Sequence, residues 1–180
     1  MSEDWCKQFI VDRCIERSRP DRPLIGQGTG RPCSWYILPR RALYNTRFAL
    51  EVGRRLCDLI DKRLAGTDGW QLAGLESGAV PLLIVLAQEY LRRGREVNVF
   101  TIRREPKPYG NFNRFEGLPG KELVTVLIDD TYHSGRSSSR CREILAHEGF
   151  MVLEELFCAI GGPAPNVHSL WTWSDLGLKG

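Results

Sequence analysis

The sequence predicts an open parallel α/β sheet built as a single domain. Apolar, β-branched segments typical of buried strands alternate along the chain with segments that have the apolar spacing of helices. A length of 180 residues leaves little room for a second core. A content of 42% hydrophobic and 26% charged residues is close to globular averages, which argues against a disordered, collagen-like or disulfide-scaffold protein.

Residues 1–45 are expected to form an N-terminal cover, or a dimer element, beside the core. Apolar residues spaced among charges predict a short amphipathic helix over 4–16, which ends before the prolines at 20 and 23. Residues 24–39 combine three glycines with an apolar stretch that starts at Trp35. This pattern predicts a loop that enters a short strand.

Residues 46–162 predict the α/β core, and 163–180 a C-terminal tail. The expected helices span 46–64, 80–93 and 137–147, and the expected strands span 70–74, 96–103, 123–128 and 151–160. Residues 105–120 are polar and rich in glycine, proline and asparagine, which predicts a loop. The tail is expected to be a flap packed by Trp171 and Trp173, or to be partly mobile.

The net charge and the spacing of the cysteines limit the partners and the cellular location that are expected for this protein. The net charge of +3 is too small to indicate duplex nucleic acid as the main partner. Of the 25 basic residues, five are lysines and 20 are arginines, an excess that suits phosphate binding but that codon bias would also produce. The six cysteines are widely separated, which favours free thiols in a reducing cytoplasm. The N-terminus is acidic and no long apolar run is present, which favours a soluble protein without a membrane span.

The most informative segment, 124–137, places two carboxylates between an apolar strand and a helix. Asp129 and Asp130 are expected where the strand ends, which is where ligands bind in open α/β sheets. Backbone N–H groups of the following turn and the helix N-terminus form an anion site. The turn residues that we expect to bind a phosphate are Thr131, His133, Ser134, Gly135, Arg136 and Ser137. A ribose 5-phosphate fits this pattern, although an Asp-Asp pair can also merely cap a helix or face solvent.

Two further segments supply groups for a second anion. The turn formed by Glu76, Ser77, Gly78 and Ala79 lets backbone amides approach an anion. Positive charge for the same anion comes from Arg103, Arg104 and Lys107. Taken alone, the first segment also fits an ordinary strand–helix turn and the second a solvated charged loop.

In their order along the chain, these segments resemble the type I phosphoribosyltransferases, most closely the orotate phosphoribosyltransferases. Residues 73–82 look like the pyrophosphate loop of that family, residues 103–110 with 116–117 like its mobile catalytic loop, and residues 29–31 with Tyr36 like its base-binding region. The resemblance covers about residues 7–162.

The resemblance implies an enzyme of the phosphoribosyltransferase fold, with an N-terminal hood and a mobile loop. It implies transfer of ribose 5-phosphate from phosphoribosyl pyrophosphate (PRPP) to a pyrimidine-like base, orotate being the nearest family substrate, with release of pyrophosphate. Mg²⁺ would be held at Asp129 and Asp130, which also act in catalysis, and Lys107 would stabilise the leaving group. A homodimer is implied in the same way.

Several positions depart from the family pattern where it contacts the base or the phosphate. Gly28 stands in place of a lysine, Ile37 and Leu38 align with an aromatic pair, and Gly162 aligns near an arginine. Tyr109 stands where a histidine is common, and His133 and Arg136 replace small hydroxyl residues. These departures support an alternative: a weak or inactive member that binds a phosphoribosyl ligand or nucleotide as a sensor, a regulator or a component of a larger assembly such as a defence system.

Overall fold

The computed structural model describes residues 4–26, 30–106 and 114–178. The N-terminal part forms a hood of two short helices and two hairpin-like strand pairs. Its elements are α1 (Trp5–Cys14), β1 (Ile15–Arg17), β2 (Leu24–Ile25), β3 (Pro32–Cys33), β4 (Trp35–Ile37) and α2 (Arg40–Leu43). Strand β1 pairs antiparallel with β4, and β2 pairs antiparallel with β3. The short strand predicted to start at Trp35 is therefore present.

The remaining strands form one six-stranded sheet. They are β5 (Trp70–Leu75), β6 (Val99–Ile102), β7 (Phe115–Glu116), β8 (Val124–Tyr132), β9 (Val152–Gly161) and β10 (Val167–Thr172). Their spatial order is β10, β9, β8, β5, β6, β7, and neighbouring strands pair in parallel except for β6 with β7. The predicted open parallel α/β sheet is confirmed, with a short antiparallel strand at one edge.

Helices cover both faces of the sheet. On one face, α3 (Thr46–Arg63) and α4 (Val80–Arg92) share an apolar cluster with Val126 and Ile128 of β8. On the other face, α5 (Arg136–His147) shares a cluster with Leu127. Because alternate residues of β8 are buried on opposite faces, the strand is a continuous apolar run in the sequence.

The prediction for residues 163–180 needs correction. Instead of forming a flap or a mobile tail, residues 167–172 add strand β10 to the edge of the sheet, with Val167 opposite Leu156 and Trp171 opposite Ile160. Trp171 is buried as expected and stacks on Phe48, with ring centroids 6.3 Å apart. The strand begins after a short polar turn and is only half-buried, so the sequence shows no long apolar run there.

Asp4 attaches the hood to the rest of the molecule. One carboxylate oxygen accepts a hydrogen bond from the Cys6 backbone N–H (3.2 Å) and caps α1. The other oxygen accepts from Arg55 Nη1 (2.7 Å) on α3 and from Trp171 Nε1 (2.9 Å) on β10. The first helix is therefore held by a central helix and by the last strand at once.

The cysteines are all free thiols, as the sequence predicts. Five are buried and Cys33 is half-buried. Burial raises the pKa of Cys6 to about 11 and that of Cys57 to about 12, so these thiols stay protonated at neutral pH. None of the helices in the described ranges combines the length and the apolar character that a membrane crossing requires.

Candidate active site

The acidic pair lies within β8 and not after it. Strand β8 was expected to end at residue 128, but it continues to Tyr132, with Asp129 opposite Cys158 and Thr131 opposite Ile160 on β9. On its other side, the pairing with β5 ends at Ala73 opposite Leu127. The two aspartates therefore lie beyond the last residue pair of β5 and β8, beside a cavity at the carboxyl end of β5.

This cavity has a volume of about 330 Å³. It is lined by predicted site residues, by a segment of the hood and by the end of β5. The predicted site residues that line it are Glu76, Ser77, Gly78, Arg104, Asp129, Asp130, Thr131 and Ser137. The hood contributes the segment 36–40, and Leu75 lies at the end of β5. The structure therefore brings together the acidic pair, the proposed pyrophosphate turn and part of the phosphate turn, which are far apart in the sequence.

The Asp129 carboxyl group is linked to the Asp130 backbone, and the Asp130 carboxyl group is linked to Thr131. The Asp130 backbone N–H donates to Asp129 Oδ1 (2.9 Å), and the Thr131 hydroxyl donates to Asp130 Oδ1 (3.1 Å). Burial, together with the negative charge of Asp130, raises the pKa of Asp129 well above its usual value, while the charge of Arg104 opposes the rise. Asp129 therefore holds a proton more strongly than an isolated aspartate does.

The turn at residues 76–79 lies against the acidic pair because Gly78 has no side chain. A Cβ atom at Gly78 would lie 3.1 Å from Asp130 Oδ1 and 3.5 Å from Asp129 Oδ1. Ala79 is fully buried at the start of α4 and does not line the cavity. The part of this turn that faces the cavity is therefore 76–78.

The two arginines at the end of β6 differ in position. Arg104 lines the cavity. Arg103 Nε and Nη2 donate to Glu116 Oε1 (3.0 and 2.5 Å), which ties β6 to β7, and its Nη1 lies 3.5 Å from Glu76 Oε2. Arg104 is therefore the better placed of the two to contact an anion in the cavity. Lys107 and Tyr109 lie outside the described residues, as do Gly28 and Thr29.

The turn after β8, whose residues were expected to bind a phosphate, leads into α5. This helix begins at Arg136, with Gly135 as its N-cap residue and without a side-chain cap. Ser137 and Thr131 face the cavity, whereas His133, Ser134, Gly135 and Arg136 are not among its lining residues. Uncapped N–H groups at a helix start favour an anion. The geometry is thus suited to a phosphate at this end of the cavity.

His133 lies in a cluster of aromatic rings. It makes edge contacts with Trp35 of the hood (ring centroids 6.2 Å apart) and with Trp173 after β10 (6.0 Å), and the two indoles are 5.3 Å apart. A Cβ atom at Gly162 would lie 2.6 Å from Trp173 Nε1. The Trp173 indole therefore fills the space into which a larger side chain at position 162 would extend.

Arg40 is a cavity residue that the sequence analysis did not identify. Its Nη1 donates to Ser77 Oγ (2.8 Å), and its Nε lies 3.9 Å from Asp130 Oδ2. Arg40 is 37 residues from Ser77 and 90 from Asp130 in the sequence, so no local pattern joins these three residues. The one feature of the sequence that could have pointed to Arg40 is its position shortly after the predicted strand at Trp35 and directly after Pro39.

Comparisons with known proteins agree with this arrangement. No family model matches the chain. A curated relative, the orotate phosphoribosyltransferase of Corynebacterium glutamicum (strain R), is 30% identical over 165 residues, which cover 84% of this chain and 83% of the relative. The chain belongs to the type I phosphoribosyltransferase family. Within that family it is close to the orotate phosphoribosyltransferases.

A further relative is similar in sequence, and two solved structures share the fold of this chain. The orotate phosphoribosyltransferase of Streptomyces avermitilis is 28% identical over 146 residues, covering 81% of this chain and 75% of the relative. The structure of the Aeropyrum pernix orotate phosphoribosyltransferase matches with a TM-score of 0.72 and 22% identity, over 97% of this chain and 99% of that one. The Mycobacterium tuberculosis enzyme in complex with PRPP matches with a TM-score of 0.70 and 19% identity, over 97% and 98% of the two chains.

The expected fold class and the expectation of a phosphoribosyltransferase-family enzyme are therefore both confirmed. Like its relatives, the protein is an orotate phosphoribosyltransferase-like enzyme.

Proposed function

We propose that this phosphoribosyltransferase transfers ribose 5-phosphate from PRPP to orotate or a closely related pyrimidine-like base. The bond between the anomeric carbon and the pyrophosphate oxygen breaks, a bond from that carbon to a base nitrogen forms, and pyrophosphate leaves. The observation that supports this proposal most strongly is that Asp129, Asp130, Arg104 and the 76–78 turn face one cavity next to the start of α5.

We assign each part of the substrate to a part of the cavity. The 5-phosphate would bind at Thr131 and Ser137, and the ribose hydroxyls would face the acidic pair. The pyrophosphate would bind at the 76–78 turn with Arg104, because backbone amides and a guanidinium suit an anion. The acceptor base would then lie along the hood wall, at residues 36–39. This order places the reacting carbon between the leaving group and the base.

The residues present fit a Mg²⁺ ion that is bound together with the substrate. Within the described ranges, no group of three or more histidine, cysteine, aspartate or glutamate side chains could hold a metal alone. Mg²⁺ is commonly bound by one or two protein carboxylates, while substrate phosphates and water supply the other ligands. Asp129 and Asp130 provide two neighbouring carboxylates of this kind. When bound, the ion would offset the negative charge of the pyrophosphate and the ribose oxygens.

Lys107 is our candidate for the catalytic cation that stabilises the departing pyrophosphate. In the presence of PRPP, Mg²⁺ and orotate, Lys107→Ala is expected to slow pyrophosphate release about 100- to 1,000-fold, since one transition-state charge contact contributes on that scale. The measurement is pyrophosphate release with a panel of bases that includes orotate and uracil.

Lys121→Ala serves as the matched control, because the Lys121 ammonium donates to the Glu148 backbone carbonyl and not into the cavity. It should retain the native rate. Release that is equally fast in Lys107→Ala and the native protein would contradict the assignment of Lys107.

The second candidate function is a binding protein that senses a phosphoribosyl ligand or a nucleotide. It is supported by the apolar Ile37 and Leu38 in the hood wall and by the Trp173 indole against Gly162. Tight PRPP binding without pyrophosphate release for any base would favour this function over transfer. The comparisons with known proteins do not favour this second function.

We further propose that the protein acts as a homodimer, with an interface that includes the start of α3 and α4. These helices pack closely, since a Cβ at Gly53 would lie 2.3 Å from Val85 Cγ1. Leu50 and Ile84, near this contact, are 53% and 52% exposed, and Tyr44 just before α3 is 81% exposed. Apolar side chains exposed on neighbouring elements are typical of a protein interface.

The double variant Leu50→Glu/Ile84→Glu is expected to shift the protein from dimer to monomer, because charge at an apolar interface costs free energy of association. Sedimentation velocity over a range of concentrations measures this. The double variant Leu91→Glu/Met151→Glu is the comparison for the same change away from the proposed interface, because these exposed apolar residues lie at the end of α4 and just before β9. A monomeric native protein, or a double variant that still dimerises with native affinity, would contradict the proposed interface.

A cytoplasmic location stays a prediction.

A further inference from the structure

Arg40 connects two sides of the cavity that the proposed reaction uses in different ways. Its guanidinium donates to Ser77 in the pyrophosphate turn and lies 3.9 Å from Asp130 Oδ2 in the acidic pair. Its backbone belongs to α2, which the buried Ala42 and Leu43 hold in the core. The side chain is 48% exposed. A fixed backbone and a half-exposed side chain allow the guanidinium to change partners without a change in the fold.

The Arg40 guanidinium lies in the approach to Asp130. Asp130 Oδ1 already accepts the Thr131 hydroxyl, and Oδ2 is the oxygen that faces Arg40. A divalent cation on Oδ2 would lie within a few ångströms of a positive charge, and the two would repel each other. Arg40 therefore lowers the affinity of the acidic pair for a free divalent cation.

A pyrophosphate group reverses this situation. An anion on the 76–78 turn would lie next to Ser77, and hence next to the guanidinium that Ser77 now binds. The planar fork of arginine pairs well with phosphate oxygens, often through two hydrogen bonds at once. Once Arg40 contacts the anion, its charge is neutralised there, and Asp130 is available to the cation.

We propose that Arg40 alternates between two partners, the acidic pair in the ligand-free protein and the pyrophosphate group in the complex. Arg40 consequently weakens the binding of a free divalent cation at Asp130 and strengthens the binding of a pyrophosphate group at the 76–78 turn. This inference rests on the proposed function, because it assigns the 76–78 turn to pyrophosphate. It adds a hood residue whose charge acts on both sides of the cavity.

The test compares native protein with Arg40→Gln, using Mn²⁺ as a paramagnetic probe. With protein and Mn²⁺ alone, Arg40→Gln is expected to bind the ion about fivefold more tightly, because a nearby positive charge is removed. With inorganic pyrophosphate added, the same variant is expected to bind pyrophosphate about tenfold more weakly, because a charge-assisted contact is lost. Arg40→Lys keeps the charge, so it should keep near-native Mn²⁺ affinity.

Arg41→Gln is the matched control. Arg41 lies on the same helix but pairs with Glu16 Oε1 (2.6 Å) and does not line the cavity. It should leave both affinities unchanged, and urea unfolding checks that all variants remain folded. Mn²⁺ affinity in Arg40→Gln that is equal to or below the native value would overturn the inference, as would unchanged pyrophosphate affinity.

Failure of the inference can be distinguished from failure of the proposed function. If native protein releases pyrophosphate from PRPP but Arg40→Gln alters neither affinity, transfer stands and the role of Arg40 falls. If native protein releases no pyrophosphate with any base while Arg40→Gln alters both affinities as expected, the role of Arg40 stands and transfer falls. Absence of Mn²⁺ binding in native protein and variant, with and without pyrophosphate, overturns the role of Arg40, while transfer stands or falls with the release of pyrophosphate from PRPP.

Discussion

Asp130→Asn is expected to reduce the rate of pyrophosphate release at least about 100-fold with little change in stability. The side chain is buried, with 8% exposure, and faces the cavity beside Gly78. Asparagine keeps the size of the side chain and can still accept the Thr131 hydroxyl, but it removes the negative charge that would hold Mg²⁺ and a ribose hydroxyl. The measurement is the rate of pyrophosphate release at saturating PRPP and Mg²⁺.

Asp68→Asn provides the comparison for this prediction. Asp68 is exposed in the turn before β5, at the opposite end of that strand from the cavity, so its variant should keep the native rate. Urea unfolding of both variants separates a loss of chemistry from a loss of structure. An Asp130→Asn protein that is within about threefold of the native rate would remove the acidic pair from the mechanism.

Gly74→Ala is expected to lower the free energy of unfolding by about 3 kcal/mol, the largest effect on stability that we predict for a single methyl group. A Cβ atom at this position would lie 2.3 Å from Ala79 Cβ and 2.5 Å from the Ile128 carbonyl oxygen. Neither neighbour can rotate away, since one is a backbone atom and the other is the first atom of a side chain. Strand β5 and the pyrophosphate turn would have to move away from β8.

Gly94→Ala is the comparison at a glycine with open surroundings. Gly94 has φ of +78° and no atom within 4 Å of an added Cβ, so alanine there meets only the conformational penalty of about 1 kcal/mol. Urea unfolding at neutral pH measures both variants. The close packing at Gly74 would be disproved if the two losses of stability were equal.

The elements with strong local patterns could be predicted from the sequence. The apolar spacing of residues 46–64 identifies α3, and the apolar run before Asp129 identifies β8, because burial on one or both faces leaves a periodic trace in the residues. The same run placed the acidic pair at the ligand-binding edge of the sheet. Its position inside β8 was missed, because the extension depends on pairing with β9, which carries no local signal.

Features that depend on distant parts of the chain were not predictable. Strand β10 is stabilised by its neighbour β9 and by the contact of Trp171 with Asp4, so its own residues are only weakly patterned. Arg40 acquires its position from the hood, and its two partners come from separate loops. The ring contacts of His133 likewise join three segments far apart in the sequence.

The bond from Trp171 to Asp4 also constrains how the molecule can be made. Its two partners are 167 residues apart, so helix α1 cannot reach its final environment until Trp171 has been translated. Strand β5 and the two helices beside it depend on contacts that become available earlier in synthesis. Assembly of the hood is therefore completed only after β10 has been made, and the cavity that the hood lines is completed at the same stage.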